Sequence, residues 1–427
     1  MRRPSRSCHS RRRNTAGRST LSQAPWNISR TSYYPFQILS EDEIESIHLA
    51  SLKVLRDYGM EILDGACRDL AKTAGASIGG DYVRFDPELI EELIAKAPEK
   101  VTVHARNAKH DVPLPPEHTC IASVGGPAFS TDIDNGRRAA NFEDMCNFSR
   151  LVQSQNIINM EGGGAVEPVD LPANTRHLDM YMAFATLTDK TWTGYALGAD
   201  RAQDSIEMAA MVAGLSLKEA VDKPVVLTVI NSNSPRRLDG PMGEGLRTYS
   251  TYGQPFAATP YRSSNVTSAN APDAQAAWES MMSLWAAFTG QATLIKQGAG
   301  WIEGGLTASF EKFIIDAEML QMMQAFVAPP DMREQEFDLS AMEEVGRGDH
   351  FYSTNHTLER YQSAFYSPLI SDWRNFETWQ EDGKPEAMHH ANHTWRLLLE
   401  EYEEPAMDAG THEALEAFVA KRKQQLY

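Results

Sequence analysis

Cysteine is scarce in this chain, and the cysteines that occur are far apart. The 427 residues contain four of them: Cys8, Cys67, Cys120 and Cys146. No two form the CxxC pair that is typical of structural zinc sites. We therefore expect free thiols in a reducing compartment, which we take to be the cytoplasm, and no structural zinc site.

The sequence also lacks long apolar runs and an excess of positive charge. No apolar stretch approaches the ~18 residues that span a bilayer, so we expect no membrane association. The formal net charge is −18, and the first twenty residues hold seven arginines and no acid, which leaves −25 on the rest. Such acidity argues against nucleic acid as a partner. It suits a protein that handles a cationic small molecule, although most such acidity only confers solubility.

Several short catalytic and metal-binding motifs are missing. The sequence has no GxSxG and no P-loop. Gly298, Gly300 and Gly304 do not have the GxGxxG spacing, so a dinucleotide fingerprint is rejected. His389 and His393 share a helical face, but the charged helix around them indicates a solvated surface, and we predict no metal site.

Composition and periodicity divide the chain into four parts. Residues 1–35 are rich in arginine and serine and predict a disordered basic tail, although they also resemble a mitochondrial transit peptide. Residues 36–118 predict an N-terminal α+β cap, in which Ser40 and Glu43 form a helix capping box. Residues 119–328 alternate strand and helix, which predicts a parallel sheet that is either open or closed as a barrel. Residues 329–427 predict a C-terminal helical extension that wraps the barrel.

The strand and helix alternation breaks at one position. The strand-like segments Pro255–Thr259 and Tyr261–Val266 follow each other directly across Pro260. Parallel neighbours need a crossover of a dozen or more residues, and no helix separates these two. Seven strand candidates result, whereas an eight-stranded barrel needs one more. Either the two segments form one bent strand, or a unit is missing at 260/261.

The stretch Gln291–Phe313 predicts a strand, a glycine-rich turn and a helix. Ala292–Lys296 is a short apolar run, and four glycines follow it before a helix that Thr307 or Ser309 can cap. Trp301 lies inside that turn. Its ring suits recognition of a cation, because the face of an indole attracts positive charge. Equally, the Trp301 side chain could simply fill space at the end of a hydrophobic core.

Ligands of parallel α/β folds meet the carboxyl ends of the strands, and this rule selects the candidate site. The selected side chains are mostly aromatics and amides, which can enclose an alkylated ammonium and orient a substrate. Each of them alone is more often an ordinary loop residue than a ligand. His350 belongs to the stretch Asp349–His356, which could line a pocket mouth or form a helix-capping loop with a buried histidine. The positions are Gly125, Gly126, Phe129, Glu167, Tyr195, Asn231, Asn233, Asn265, Trp301, Glu303 and His350.

Six segments of the chain resemble the trimethylamine methyltransferase family. They are Leu39–Gly59, Gly125–Gly136, Tyr261–Ala277, Gly298–Asp316, Val345–Thr357 and Ala364–Trp379. The resemblance covers roughly residues 38–425. It implies an α/β fold, a (β/α)8 barrel like that of the TIM-barrel proteins, with the N-terminal cap and C-terminal helical wrap added.

The resemblance also implies an activity. Family members move a methyl group from a methylated amine to the Co(I) of a corrinoid that a separate small protein carries, so no cofactor is bound directly. This chain has no pyrrolysine, and it is similar to the glycine betaine branch, which acts on quaternary amines. The implied cation enclosure is Phe129, Tyr195 and Trp301, with Glu303 beside it. Asn231, Asn265 and His350 would orient a carboxylate tail, and no catalytic residue is assigned.

The sequence departs from the family at the junction 260/261. Family members have a helix, a strand and a helix there, so we expect the barrel to lack one strand and its flanking helices. Two further interpretations stay open. The chain is an internally deleted, non-catalytic relative that only binds ligand or partner subunits, or the gap is an error of assembly. A homo-oligomer is compatible with either, and the sequence does not define the amine.

Overall fold

The computed structural model describes residue 21 and residues 23–232, 234–252, 261–329 and 339–426. Most of the arginine-rich tail, Asn233 and the predicted strand Gln254–Thr259 therefore lie outside the described residues. Three of the four cysteines are described, and Cys67, Cys120 and Cys146 are free and buried. The prediction of free thiols is confirmed for these three.

The segment before residue 118 combines helices and short strands, as its composition predicts. The predicted capping box begins the first helix, since the Ser40 side chain accepts from the Glu43 N–H and the Glu43 carboxylate accepts from the Ser40 N–H. The strands are β1 (Ser29–Arg30), β2 (Met60–Ile62), β3 (Ser77–Gly79), β4 (Tyr82–Arg84), β5 (Thr102–Val103) and β6 (Val112–Pro113), and the helices are α1 (Glu41–Asp57), α2 (Gly65–Thr73) and α3 (Pro87–Ala95).

A set of parallel strands follows the N-terminal segment. The members named as strands are β7 (His118–Ile121), β10 (Met160–Glu161), β11 (Thr191–Trp192), β13 (Tyr261–Ser263) and β14 (Leu294–Lys296). Strand β14 pairs with β13 on one side and with β7 on the other, and β10 pairs with β11. Single parallel bridges join Ala122 to Met160 and Thr193 to Leu227. The order across the sheet is therefore β13, β14, β7, β10, β11 and the Leu227 segment.

Helices separate most of these strands along the chain. They are α4 (Phe142–Ser154), α5 (Arg176–Leu187), α6 (Ala199–Val212), α7 (Leu217–Asp222), α8 (Gly240–Thr251), α9 (Ala274–Thr289) and α10 (Phe310–Val327). Their buried faces pack on the parallel strands in one large apolar cluster that includes Phe148, Phe184, Ile295 and Phe313. This packing is the reason that the strands between them are short apolar runs with both faces covered.

The pairing of the first parallel strand, β7, with the last, β14, is the pairing that a closed barrel requires. Between the Leu227 segment and β13, the described residues contain no strand that would complete a ring. The (β/α)8 barrel that lacks one strand and its flanking helices therefore stays a prediction.

A second sheet lies beside the parallel strands. It contains β8 (Phe129–Asp132), β9 (Gly136–Ala139), β15 (Trp301–Ile302) and β16 (Thr307–Ser309), and a two-residue strand, β12 (Arg237–Leu238), pairs elsewhere with β2. The predicted hairpin is confirmed, because β8 and β9 are antiparallel around Asp134 and Asn135. Ser309 caps α10 by accepting from the Lys312 N–H.

The described residues after 339 form helices that pack back on earlier helices. These C-terminal helices are α11 (Ser340–Glu344), α12 (Asn355–Arg360), α13 (Phe376–Glu381), α14 (Ala387–Glu400) and α15 (Ala409–Leu426). The Trp395 ring lies 4.8 Å from that of Phe310, and its Nε1 donates to Glu311 at 3.0 Å. Arg422 donates to Asp204 on α6 at 2.6 Å. These contacts hold α14 against α10 and α15 against α6.

A fully buried ion pair joins α10 to the glycine turn that precedes it. The Lys312 Nζ lies 2.5 Å from Asp316 Oδ1 and donates to Ser280 Oγ at 2.8 Å. The other oxygen of Asp316 accepts from the Gly300 N–H at 2.7 Å. Burial raises the pKa of Asp316 to about 6, and Lys312 opposes that rise. The pair therefore fixes the turn between β14 and α10.

Removing one partner of this pair should destabilise the protein strongly. In Lys312→Met the Asp316 carboxylate loses its counter-charge inside the core, and we expect a loss of about 3–5 kcal/mol in the free energy of unfolding. Urea denaturation measures it. The control is Lys96→Met, which breaks an exposed pair of the same spacing with Glu92, at 2.6 Å, and should leave the free energy of unfolding almost unchanged. Equal losses in the two variants would contradict the structural role of the buried pair.

Candidate functional site

A cavity of about 200 Å³ lies at the carboxyl ends of the parallel strands. Its lining follows β7, β10, β11 and the Leu227 segment and includes the last residue of β14. This is the location that the strand rule predicts for a ligand. The lining residues are Gly125, Gly126, Gly162, Gly163, Glu167, Thr193, Gly194, Tyr195, Ala196, Leu197, Thr228, Val229 and Lys296.

Glycines form the floor of this cavity because the backbones approach too closely for any side chain. A Cβ on Gly162 would lie 2.0 Å from the Ser123 carbonyl oxygen, and one on Gly125 would lie 2.6 Å from the Gly162 carbonyl oxygen. A Cβ on Gly194 would lie 2.1 Å from Ser205 Oγ. Larger residues at these positions would force the strands apart, so the glycines define the size of the cavity.

A buried carboxylate lies beneath the floor. Glu161 is fully buried, and its Oε1 accepts from the Gly164 N–H at 2.9 Å and the Gly163 N–H at 3.2 Å. Its Oε2 is buried without a hydrogen-bond partner among the described residues. Burial raises the pKa of Glu161 to about 6, and the N–H donors only partly offset that effect. Sequence reasoning missed this residue.

Tyr195 and Glu167 form one wall of the cavity. The Tyr195 hydroxyl donates to Glu167 Oε1, and Glu167 Oε2 lies 3.0 Å from Arg176 Nε. Burial and the adjacent carboxylate of Glu167 raise the pKa of Tyr195 well above its ordinary value, so the hydroxyl keeps its proton. Arg201 approaches the Tyr195 ring with its Cζ 5.8 Å from the centroid. An aromatic ring beside a carboxylate is a suitable environment for a ligand cation.

Lys296 contributes a cation to the same cavity. It ends β14, and burial lowers the pKa of its ammonium to about 8, an effect that the negative charge of Glu161 opposes. Sequence reasoning predicted a strand at Ala292–Lys296, where the structure has Leu294–Lys296, but it did not select the last residue of that strand. The missed signal was a charged residue at the carboxyl end of an apolar strand.

Three of the sequence-predicted site residues lie together, but not in this cavity. Phe129, Trp301 and Glu303 belong to the second sheet or the turn beside it. The Cζ of Arg137 lies 3.7 Å from the Phe129 ring centroid, and its Nε lies 2.9 Å from Glu303 Oε2. A guanidinium of this chain therefore already interacts with both the ring and the carboxylate. Trp301 packs against the main core, and its Nε1 is buried without a hydrogen-bond partner among the described residues.

The predicted amide and histidine positions are separate from these three. Asn265 is buried with a positive φ of 58°, and its side-chain amide donates to the Gly298 carbonyl. It thus supports the glycine turn. Asn231 is exposed. His350 has a side chain that is 63% exposed, and its ring lies 4.9 Å from that of Tyr352. Of the seven predicted ligand residues, Tyr195 lines the cavity. The assignment of all seven as ligands stays a prediction.

The described residues offer neither a metal-binding cluster nor a helix that could span a membrane. They contain no group of three or more histidine, cysteine, aspartate or glutamate side chains that could hold a metal ion. None of the helices in the described part of the chain has the length and apolar character needed to cross a membrane.

Comparison with known proteins defines the class. The family model of trimethylamine methyltransferase (MTTB) matches residues 5–261 and 255–427. The chain belongs to this family of methyltransferases. It is 26% identical to a glycine betaine methyltransferase of Desulfitobacterium hafniense, over 92% of this chain and 98% of the relative. It is 20% identical to a trimethylamine methyltransferase of Methanosarcina mazei over 90% and 94% of the two chains, and 23% identical to a proline betaine:corrinoid methyltransferase of Eubacterium limosum over 46% and 42%.

The same comparisons bear on the junction at 260/261. The family model matches in two segments that meet at residues 255–261. The alignment to the glycine betaine methyltransferase spans 472 positions. Because 92% of 427 residues is about 393, about 79 of those positions have no counterpart in this chain.

The buried carboxylate of Glu161 should make stability depend on pH. Its pKa is raised from 4.5 to about 6, so the folded state binds the proton more tightly than the unfolded chain. The protonated side chain therefore adds to the free energy of unfolding below about pH 4.5. This stabilisation, about 2 kcal/mol, is lost as the pH rises through about 6. Urea denaturation of the wild type and of Glu161→Gln, each at about pH 4.5 and about pH 7, measures it. The variant should lack this loss, and identical pH dependence in both proteins would contradict the assignment.

Proposed function

We propose that this chain transfers a methyl group from a small quaternary amine to the Co(I) of a corrinoid carried by a separate protein. Family membership supports the reaction class, and the relatives named for glycine betaine and proline betaine support a quaternary amine. The observation that carries the proposal is the cavity in which a tyrosine ring and a carboxylate form one wall.

The chemistry of a quaternary nitrogen explains why this lining suffices. The nitrogen has no lone pair, and the departing amine is already a good leaving group. When the nitrogen–methyl bond breaks, its electron pair stays on nitrogen, and a neutral tertiary amine leaves without receiving a proton. The protein therefore needs no general acid, and it acts by holding the bond in line with the acceptor and excluding water.

The residues present fit the amine and leave the corrinoid to the partner. A cavity of about 200 Å³ is smaller than the ~300–1,000 Å³ that drug-sized ligands occupy, so it suits an ion with few atoms. A corrinoid ring is far larger than that space. When present, the corrinoid supplies Co(I) as the methyl acceptor, and this chain supplies Tyr195, Glu167 and the glycine floor that position the donor.

We further propose that the (β/α)8 barrel of this chain lacks the unit after the predicted strand Gln254–Thr259. The two-segment family match and the roughly 79 unmatched alignment positions support a missing stretch at residues 255–261. The same observation favours one alternative function, a non-catalytic relative that still binds the amine or the partner. Binding of the amine is common to both, whereas methyl transfer is not.

Ligand-dependent unfolding tests the amine cavity directly. We expect the full chain to melt cooperatively and one quaternary amine from a panel of methylated amines to stabilise it. At ~100 times its dissociation constant, a ligand adds about 2.7 kcal/mol to the free energy of unfolding. A methyl-transfer assay with free cob(I)alamin then separates the enzyme from the non-catalytic relative. A cooperative melt that no methylated amine shifts would contradict the proposal.

A pair of variants at Tyr195 tests the aromatic wall. Tyr195→Leu removes the ring, and we expect it to weaken binding of the stabilising amine about tenfold, because a cation over a desolvated ring gains about 1–2 kcal/mol. Tyr195→Phe keeps the ring and loses only the hydrogen bond to Glu167, so it should bind more tightly than the leucine variant. Titration calorimetry measures both. Equal affinities of the two variants would show that the ring face does not hold the cation.

A further inference from the structure

Among the described residues that line the cavity, Lys296 is the one cationic side chain, and the reaction described above does not need it. The ionisable side chains among the lining residues are Glu167, Tyr195 and Lys296. Glu167 is paired with Arg176, and Tyr195 donates to Glu167. Lys296 approaches from a different strand, β14, at the opposite side of β7 from the strands that precede Glu167 and Tyr195.

Among the described residues, Lys296 differs from the buried lysines Lys190 and Lys312 in having no direct partner. The Lys190 ammonium donates to the carbonyls of Val152, Gln155 and Ile158 at 2.6–2.9 Å. The Lys312 ammonium is held by Asp316 and Ser280. Within the described ranges, no hydrogen bond or ion pair reaches the Lys296 ammonium, and Glu161 influences it only at a distance. Lys296 is partly buried. An ammonium that is partly withdrawn from water without a partner is costly, unless a ligand supplies one.

We infer that Lys296 binds the carboxylate of the substrate, so that the substrate is a small betaine with a quaternary ammonium at one end and a carboxylate at the other. This inference rests on the proposed function, and it assigns a specificity-determining residue to the amine cavity. The ammonium of the ligand lies toward Tyr195 and Glu167, and its carboxylate accepts from Lys296.

The same lysine discriminates against amines without a carboxylate. Trimethylamine and choline bring positive charge into the cavity and leave Lys296 without a counter-ion. Their binding would place like charges in a small space of low dielectric, whereas a zwitterion pairs each of its ends. A hydroxyl group could accept a hydrogen bond from Lys296, but it would not neutralise the charge. The cavity thus selects by the tail of the substrate as well as by its methylated nitrogen.

Two ligands that share a trimethylammonium group test the inference on the full chain. Glycine betaine carries a carboxylate, and choline carries a hydroxyl group. Calorimetric titration of the wild type should show glycine betaine binding at least ~10-fold more tightly than choline, because hydrogen bonds to charged groups contribute more than neutral ones. Lys296→Met should remove most of that preference and leave choline binding unchanged or stronger. Lys109→Met, which removes an exposed lysine outside the cavity, should keep the preference.

The outcomes separate this inference from the proposed function. Choline binding as tightly as glycine betaine to the wild type would overturn the role of Lys296 and leave the quaternary amine site standing. Equal weakening of both ligands in Lys296→Met would also overturn it, because that result indicates a structural lysine. Binding of neither ligand nor any other methylated amine would overturn the proposed function itself. The wild-type comparison decides the matter even if Lys296→Met does not fold.

Discussion

The candidate site depends on how closely neighbouring backbones approach at the carboxyl ends of the parallel strands. Gly125 and Gly162 stand where a Cβ would lie 2.6 Å or less from a carbonyl oxygen of the adjacent segment. Because this approach is possible only for glycine, the loops after β7 and β10 stay in contact and form a floor. The side chains of Tyr195, Glu167 and Lys296 are placed relative to that floor. Cavity size and the positions of its charges thus follow from one steric constraint.

The charged groups inside this fold are of two kinds. Some are paired within the protein and stabilise it, and others lie in or near the cavity without a complete set of partners. Lys312 and Asp316 neutralise each other in the core and fix the turn between β14 and α10. Lys190 is satisfied by three carbonyls. Glu161, in contrast, lies beneath the cavity floor with one oxygen that has no hydrogen-bond partner among the described residues. Lys296 lines the cavity, and no hydrogen bond or ion pair reaches its ammonium from the described part of the chain. Incompletely satisfied charge at a concave site is typical of ligand binding, since a ligand then completes the pairing.

Local patterns in the sequence predicted much of the secondary structure. The capping box at Ser40, the hairpin around Asn135 and the cap at Ser309 are confirmed, because each depends only on residues within a few positions of one another. The strand rule also selected Gly125, Gly126, Glu167 and Tyr195, which line the cavity. It could not distinguish them from Phe129 or Glu303, since Arg137, which interacts with both, is distant in sequence from Glu303.

The sequence by itself determined the family, the order of strands and helices, and the junction at which the family pattern is interrupted. These depend on sequence segments that follow one another in the order of the family, and on patterns such as caps and turns whose residues are a few positions apart. Only the tertiary structure decided which strand-end residues share a cavity, that Lys296 is one of them, and that Glu161 is buried beneath its floor. The physical reason is that the contact partners of a side chain and its burial depend on which elements come together in space. A lysine at the end of a strand becomes a binding residue only when the surrounding elements bury it and leave its charge without a partner.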